Sequence, residues 1–149
     1  MSHPRSWWAA LTLALALGAC AAPETEPVDP AQLGLHEVSD VLPSSPAGER
    51  FGWVMSVING DHEVDLERAA YVFSPIALDT RSAEDLNRLF GLIRAKGPWT
   101  LIGFADAPEL DRLAAVIHGT VGYRLLEVRV QSAGEHRIDA VQIAPYHAP

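Results

Sequence analysis

Prolines at positions 23, 27, 30, 43 and 46 stand among acids and small residues, and their scatter decides where this chain can build a core. Each proline fixes φ and withdraws a backbone donor, so the stretch from Ala21 to Glu49 cannot be one helix or a central strand. It reads as a semi-extended tether in which Leu33, Leu35, Val38, Val41 and Leu42 can dock locally. Residues 50–147 are left for a single domain of about a hundred residues, which suffices for one core. Lys and Arg number 11 against 19 Asp and Glu, a net charge of −8. Such a balance repels phosphate backbones and anionic headgroups, so nucleic acid is excluded as a partner class.

Residues 1–19 have the layout of an export signal. Arg5 supplies positive charge, Trp7 to Leu17 is apolar but for Thr12, and Gly18-Ala19 offers small residues before Cys20. The apolar run is short of the roughly 20 residues that a membrane-crossing helix needs. Leu17-Gly18-Ala19-Cys20 resembles the lipobox of bacterial lipoproteins. The resemblance implies cleavage before Cys20, diacylglycerol on its sulfur and a further acyl chain on its amino group. Cys20 is the single cysteine, so no internal disulfide competes for it. Several acyl chains, each contributing roughly 0.8 kcal/mol per buried CH₂, would hold a small domain on a bilayer essentially permanently. Ala21 stands where lipoproteins retained in the inner membrane often carry Asp, which by the family's rule implies the periplasmic face of the outer membrane. Membrane contact is therefore expected through lipid, not through basic side chains.

Within the domain, Phe51, Trp53, Met55 and Val57 alternate ahead of Asn59-Gly60, which predicts a strand and a hairpin turn, with a returning strand near Val64 to Phe73. Ser82 with Asp85 reads as a capping box, and Leu86, Leu89, Phe90 and Ile93 follow helical spacing up to Gly97-Pro98. Trp99 to Ala105 is a nearly unbroken apolar run, expected of a central strand covered on both faces. Asp106 with Glu109, Pro108 in a first turn, and Leu110, Leu113, Ala114 and Ile117 predict a second helix ending at Gly119. Leu126, Val128 and Val130 alternate with polar residues. A turn at Ser132-Ala133-Gly134 then leads to a last strand, His136 to Ala144, with a bulge near Ala140-Val141. The expected class is α/β (α+β), a mixed sheet of about five strands with two helices on one face, in the order ββαβαββ. Crossovers of helical length imply parallel strands around Phe73, Leu101 and Val128.

Chemistry is sparse. No dinucleotide or phosphate loop and no nucleophile elbow occurs, and no cofactor is implied. Asp61-His62-Glu63 with Asp65 is the densest polar cluster. Neighbouring strand residues point to opposite faces and cannot converge on one metal, so the cluster reads as a solvated turn. His36, His118, His136 and His147 are isolated, and His118 suits a helix end. The paired acids Glu84-Asp85 and Glu109 with Asp111 fit first helical turns, and an enzyme is not expected.

From Phe73 through the capped helix to Gly103-Phe104-Ala105-Asp106, and on to His136-Arg137-Ile138-Asp139, the chain resembles the OmpA-like peptidoglycan-binding domain. That family has Gly-His-Thr-Asp at the end of a strand and an Arg-bearing last strand. Phe104-Ala105 replaces its His-Thr, and its diaminopimelate-binding arginine has no equivalent at the family's spacing. The resemblance implies Asp106 as a ligand-binding carboxylate, Arg137 as the last-strand arginine, and Arg112 as the displaced ligand arginine. Asp106 equally suits a helix N-cap. Thr100 to Asp106 with the residues after it is also similar to the SPOR domain, another peptidoglycan module. Two roles follow for an envelope lipoprotein: a noncatalytic domain that binds peptidoglycan, or an accessory or assembly protein that binds another envelope protein through an apolar patch or an exposed edge strand. Trp53 and Tyr146 are candidate contacts for the second.

Overall fold

The computed structural model describes residues 28–60 and 63–149. The chain is a mixed α and β fold with four α-helices and a five-stranded sheet among these residues. A 3-10 turn, Pro30–Gln32, and a two-residue strand β1, Glu37–Val38, precede helices α1 (Pro46–Ile58), α2 (Leu66–Val72), α3 (Pro75–Thr80) and α4 (Ala83–Arg94). Strands β2 (Thr100–Phe104), β3 (Arg112–Gly119), β4 (Gly122–Val130) and β5 (Ile138–Pro145) complete the chain. The sheet runs β1-β2-β3-β4-β5 with every neighbouring pair antiparallel. The expected order ββαβαββ and the parallel crossovers are thus replaced by one short strand, four α-helices and then an antiparallel meander of four strands.

Each helix start has a local cause. Ser45 accepts a hydrogen bond from the Gly48 amide at 3.1 Å, with Pro46 in the first turn. Ser74 does the same for Ala77 at 3.2 Å, ahead of Pro75. Asp65 caps α2 and Ser82 caps α4, as serine and aspartate do when they satisfy orphan amides of a first turn. The segment expected as the first strand, Phe51 to Ile58, is the body of α1. Asn59-Gly60 ends it, with Gly60 at φ +96°, a helix C-terminus and not a hairpin turn. The expected returning strand is α2 and the link that follows it. Asp61 and His62 lie outside the described residues.

The α4 helix forms as its stripe predicts, with Leu86, Phe90 and Ile93 buried and Leu89 partly so. β2 also forms, but it lies beside the edge strand β1, and the central strand is β3. The stretch predicted as the second helix is that strand. Leu113 to Ile117 are all buried, so both faces are covered, and a strand buried on both faces shows no period of two to separate it from a helix. His118, expected at a helix end, sits on β3 against the ring of Tyr123, with centroids 4.6 Å apart. The last hairpin forms as read. Arg129 pairs with Ala140 and Val130 with Ile138, so Asp139 is the extra residue of a bulge adjoining the expected position.

α1 lies across β3 and β4 and packs against α4. Phe51, Val54, Val57 and Ile58 meet Phe90, Leu113, Ile117, Leu126 and Ile138 in one cluster. Trp53, partly buried, stands edge-on to Phe73 at 5.7 Å and to Phe90 at 6.5 Å and packs against the core cluster. Asn59 locks α1 to the start of β2, accepting from the Trp99 amide at 2.8 Å and donating to its carbonyl at 3.1 Å. Of the expected tether, the described part is attached to the sheet. β1 pairs with β2, Leu33 is buried, and the hydroxyls of Tyr123 and Tyr146 donate to the Val28 and Leu33 carbonyls at 3.2 and 2.6 Å. A Cβ on Gly103 would lie 2.3 Å from the Glu37 carbonyl oxygen, so only glycine lets β1 approach β2 this closely.

Candidate functional site

Asp106 lies two residues past the end of β2 and Arg112 opens β3, and the hairpin between the strands brings the two side chains together. Arg112 Nη2 donates to Asp106 Oδ2 at 2.8 Å and to Glu127 Oε2 on β4 at 2.9 Å, and Glu109 lies 3.8 Å from Nη1. Arg129 Nε donates to Glu127 Oε1 at 2.5 Å. Glu127 is the buried member, its side chain 11% exposed. The Arg112 hydrogen bond, with that of Arg129 behind it, holds the Glu127 carboxyl below its ordinary 4.5 against burial, which works the other way. Arg112 in turn is held more firmly protonated, by Glu127 first and Asp106 second.

No helix follows Asp106, so it caps none; it is an ion-pair partner in a β-hairpin. Arg137 is not part of this cluster. Its Nε donates to Glu135 Oε2 at 2.7 Å and its backbone is held by Gln131. The strand, helix and strand pattern behind the peptidoglycan-binding resemblance is likewise not formed, because Phe73 joins two helices and a strand follows Asp106. Cys20 lies outside the described residues. Glu127 escapes a reading of the sequence because it alternates with Leu126 and Val128 as a solvent-facing residue would; only the cross-strand position of Arg112 shows that its carboxylate is sequestered.

A second feature lies on the helical side of the sheet's far edge. A cavity of about 300 Å³ opens between α3, α4 and β5, walled by Ala77, Leu89 and Phe90 and by β5 from Asp139 to Gln142. Another, of about 370 Å³, continues along β5 past Leu89 to Leu92, Trp99 and the strand from Ile143 to Pro145. Together they make a groove with an apolar floor. Ile76 and Leu92 are left 74% and 63% exposed on its helical wall. The bridge from Phe73 to Ile138 covers the start of β5, and beyond it no described segment pairs with the outer edge. The sequence held a clue: Leu92 is a large apolar residue lying off the buried stripe of α4.

Arg81, Lys96 and Arg124 line the same groove. Among the described residues none of them has a carboxylate partner, and Arg124 donates only to the Tyr123 carbonyl. Asp139 is the one acid on the lining. In a chain of net charge −8, the groove is therefore a locally cationic strip over an apolar floor. A concave strip of this kind can hold an amphipathic segment, with apolar groups inward and negative charge at the rims.

No curated protein matches the chain. Residues 42–135, which run from the approach to α1 to the turn before β5, match the ORF 12 gene product N-terminal family, and the chain belongs to that family.

Proposed function

We propose that this chain is an envelope lipoprotein, acylated at Cys20 and held on the outer membrane, whose domain binds another envelope protein without catalysis. The groove along α4 and β5 carries this reading, because it joins exposed apolar side chains to an uncovered strand edge. Long exposed edges and large exposed apolar side chains mark association surfaces. Leu17-Gly18-Ala19-Cys20 supports the anchor. Tyr123 fixes Val28 to the sheet, and eight residues reach at most about 30 Å however they are arranged. An acylated Cys20 would keep the domain, and a partner on it, close to the bilayer.

Peptidoglycan is the competing ligand. Arg112 already has Asp106, Glu109 and Glu127 as partners and Arg137 has Glu135, so either arginine would have to surrender an ion pair to take a wall-peptide carboxylate. Full-length protein in detergent, mixed with purified sacculi, is expected to stay in the supernatant, while formaldehyde treatment of intact cells joins it to an envelope polypeptide. Saturable sedimentation with sacculi that Asp106→Asn abolishes would instead establish the wall as the ligand.

A further inference from the structure

We infer that the groove takes an extended partner segment as an additional strand on β5, with two apolar side chains in its cavities and acidic residues beside Arg81 at one end and Lys96 and Arg124 at the other. The proposal deepens the protein-binding reading and rests on it. Three observations meet here. β5 past Ile138 has no partner on its outer edge among the described residues, and an open edge offers main-chain donors and acceptors to an incoming strand.

The second observation is spacing. Val141 and Ile143 are the half-buried apolar residues of β5, and each borders one of the two cavities. Residues two apart on a strand share a face and stand about 7 Å apart. A strand laid beside β5 therefore carries same-face side chains at that interval, one over each cavity. Main-chain pairing would provide affinity and the cavities selectivity.

Charge is the third. The cations Arg81, Lys96 and Arg124 have no ion pair among the described residues, as Arg50 and Arg68 have none, whereas Arg88, Arg112, Arg129 and Arg137 have carboxylates of their own; the three groove cations are distinguished by converging on one concave surface. Lys96 and Arg124 offer complementary charge to an acidic segment at one end of the groove and repel a basic one, while at the other end Arg81 shares its cavity with Asp139, so the charge selection is concentrated at Lys96 and Arg124.

The test uses the full-length protein in detergent micelles and a fluorescein-labelled peptide, Asp-Thr-Val-Thr-Val-Thr-Asp, whose two valines and two aspartates share one face of a strand, read by anisotropy. We expect it to bind at least about tenfold more tightly than the same peptide ended by Lys, and expect Lys96→Glu with Arg124→Glu to abolish that preference. Methylating alternate backbone amides of the peptide should weaken binding at least about tenfold, since it removes the donors of a strand. Absence of binding, equal binding of the acidic and basic peptides, or indifference to amide methylation would overturn the proposal. Photocrosslinking in cells, with benzoylphenylalanine placed at Leu92 in the groove or at Ser132 in the remote turn, separates the two levels. Adducts to an envelope polypeptide from Leu92 and not Ser132 are expected. Adducts from Ser132 alone would remove the groove and keep the protein-binding reading; lipid adducts alone, or none, would remove both.

Discussion

Replacing Phe51 by alanine is expected to lower the stability of the domain by about 3–5 kcal/mol, a loss large enough to shift its melting temperature by 10 °C or more. The ring is fully buried where α1 crosses β3 and β4 and belongs to one cluster with Phe90, Leu113 and Leu126. Truncation opens a cavity that close-packed neighbours can fill only in part. Gly52, one residue on, is only partly buried, and a Cβ there would lie 3.1 Å from the Cδ1 of Leu42, the end of a flexible side chain that can give way, so Gly52→Ala should move the melting temperature far less. Thermal unfolding of the two variants decides the matter. Equal, small shifts would show that α1 does not seat Phe51 in the core.

Glu127→Ala should cost about 2–3 kcal/mol at neutral pH, because it leaves Arg112 and Arg129, which face each other across β3 and β4, without the carboxylate between them. Glu127→Gln keeps the shape and removes the charge, so it isolates the contribution of ionisation. The folded carboxyl titrates below 4.5, its ordinary value. Its stabilisation is therefore complete above about pH 4.5 and is lost as the pH falls through the lower folded value. Denaturant unfolding across pH should show wild type well above Glu127→Gln at pH 7, with the gap closing in the acid range. A gap that stayed constant down to pH 2, or one that widened on acidification, would contradict the ion-pair account.

What was legible in the sequence divides along physical lines. α4 was readable because its capping serine, its stripe and its terminating Gly97-Pro98 agree, and the β4 to β5 hairpin because one face of β4 is polar. α1 was not, since Phe51 to Ile58 is apolar at nearly every position and satisfies a period of two as well as it satisfies a helix. Ser45-Pro46 settles that ambiguity, as Ser74-Pro75 does for α3, because proline in the first turn behind a serine cap is a helix start. Pro46 belongs to a helix, not to the tether. β3 misled in the opposite direction: burial on both faces erased the alternation, and Asp106 with Glu109 imitated a capping box. In the structure the same acids ring Arg112 at a hairpin. The Asp106 to Arg112 pairing spans few residues and was within reach of a local reading, whereas Glu127 and the groove depend on strand register and on how α4 lies over β5.

Fractionation of cells expressing wild type or Cys20→Ser tests most directly the claim that this is a lipid-anchored envelope protein. Serine offers no thiol for a thioether, and the anchoring strength expected of several acyl chains leaves no intermediate behaviour. Wild type should sediment with the outer membrane, with its amino-terminal peptide heavier than the sequence from Cys20 by the mass of its acyl groups. The Cys20→Ser variant should leave that fraction and carry no such mass. A Cys20→Ser protein that still fractionated with membranes, or a wild-type peptide with an unmodified Cys20, would contradict it.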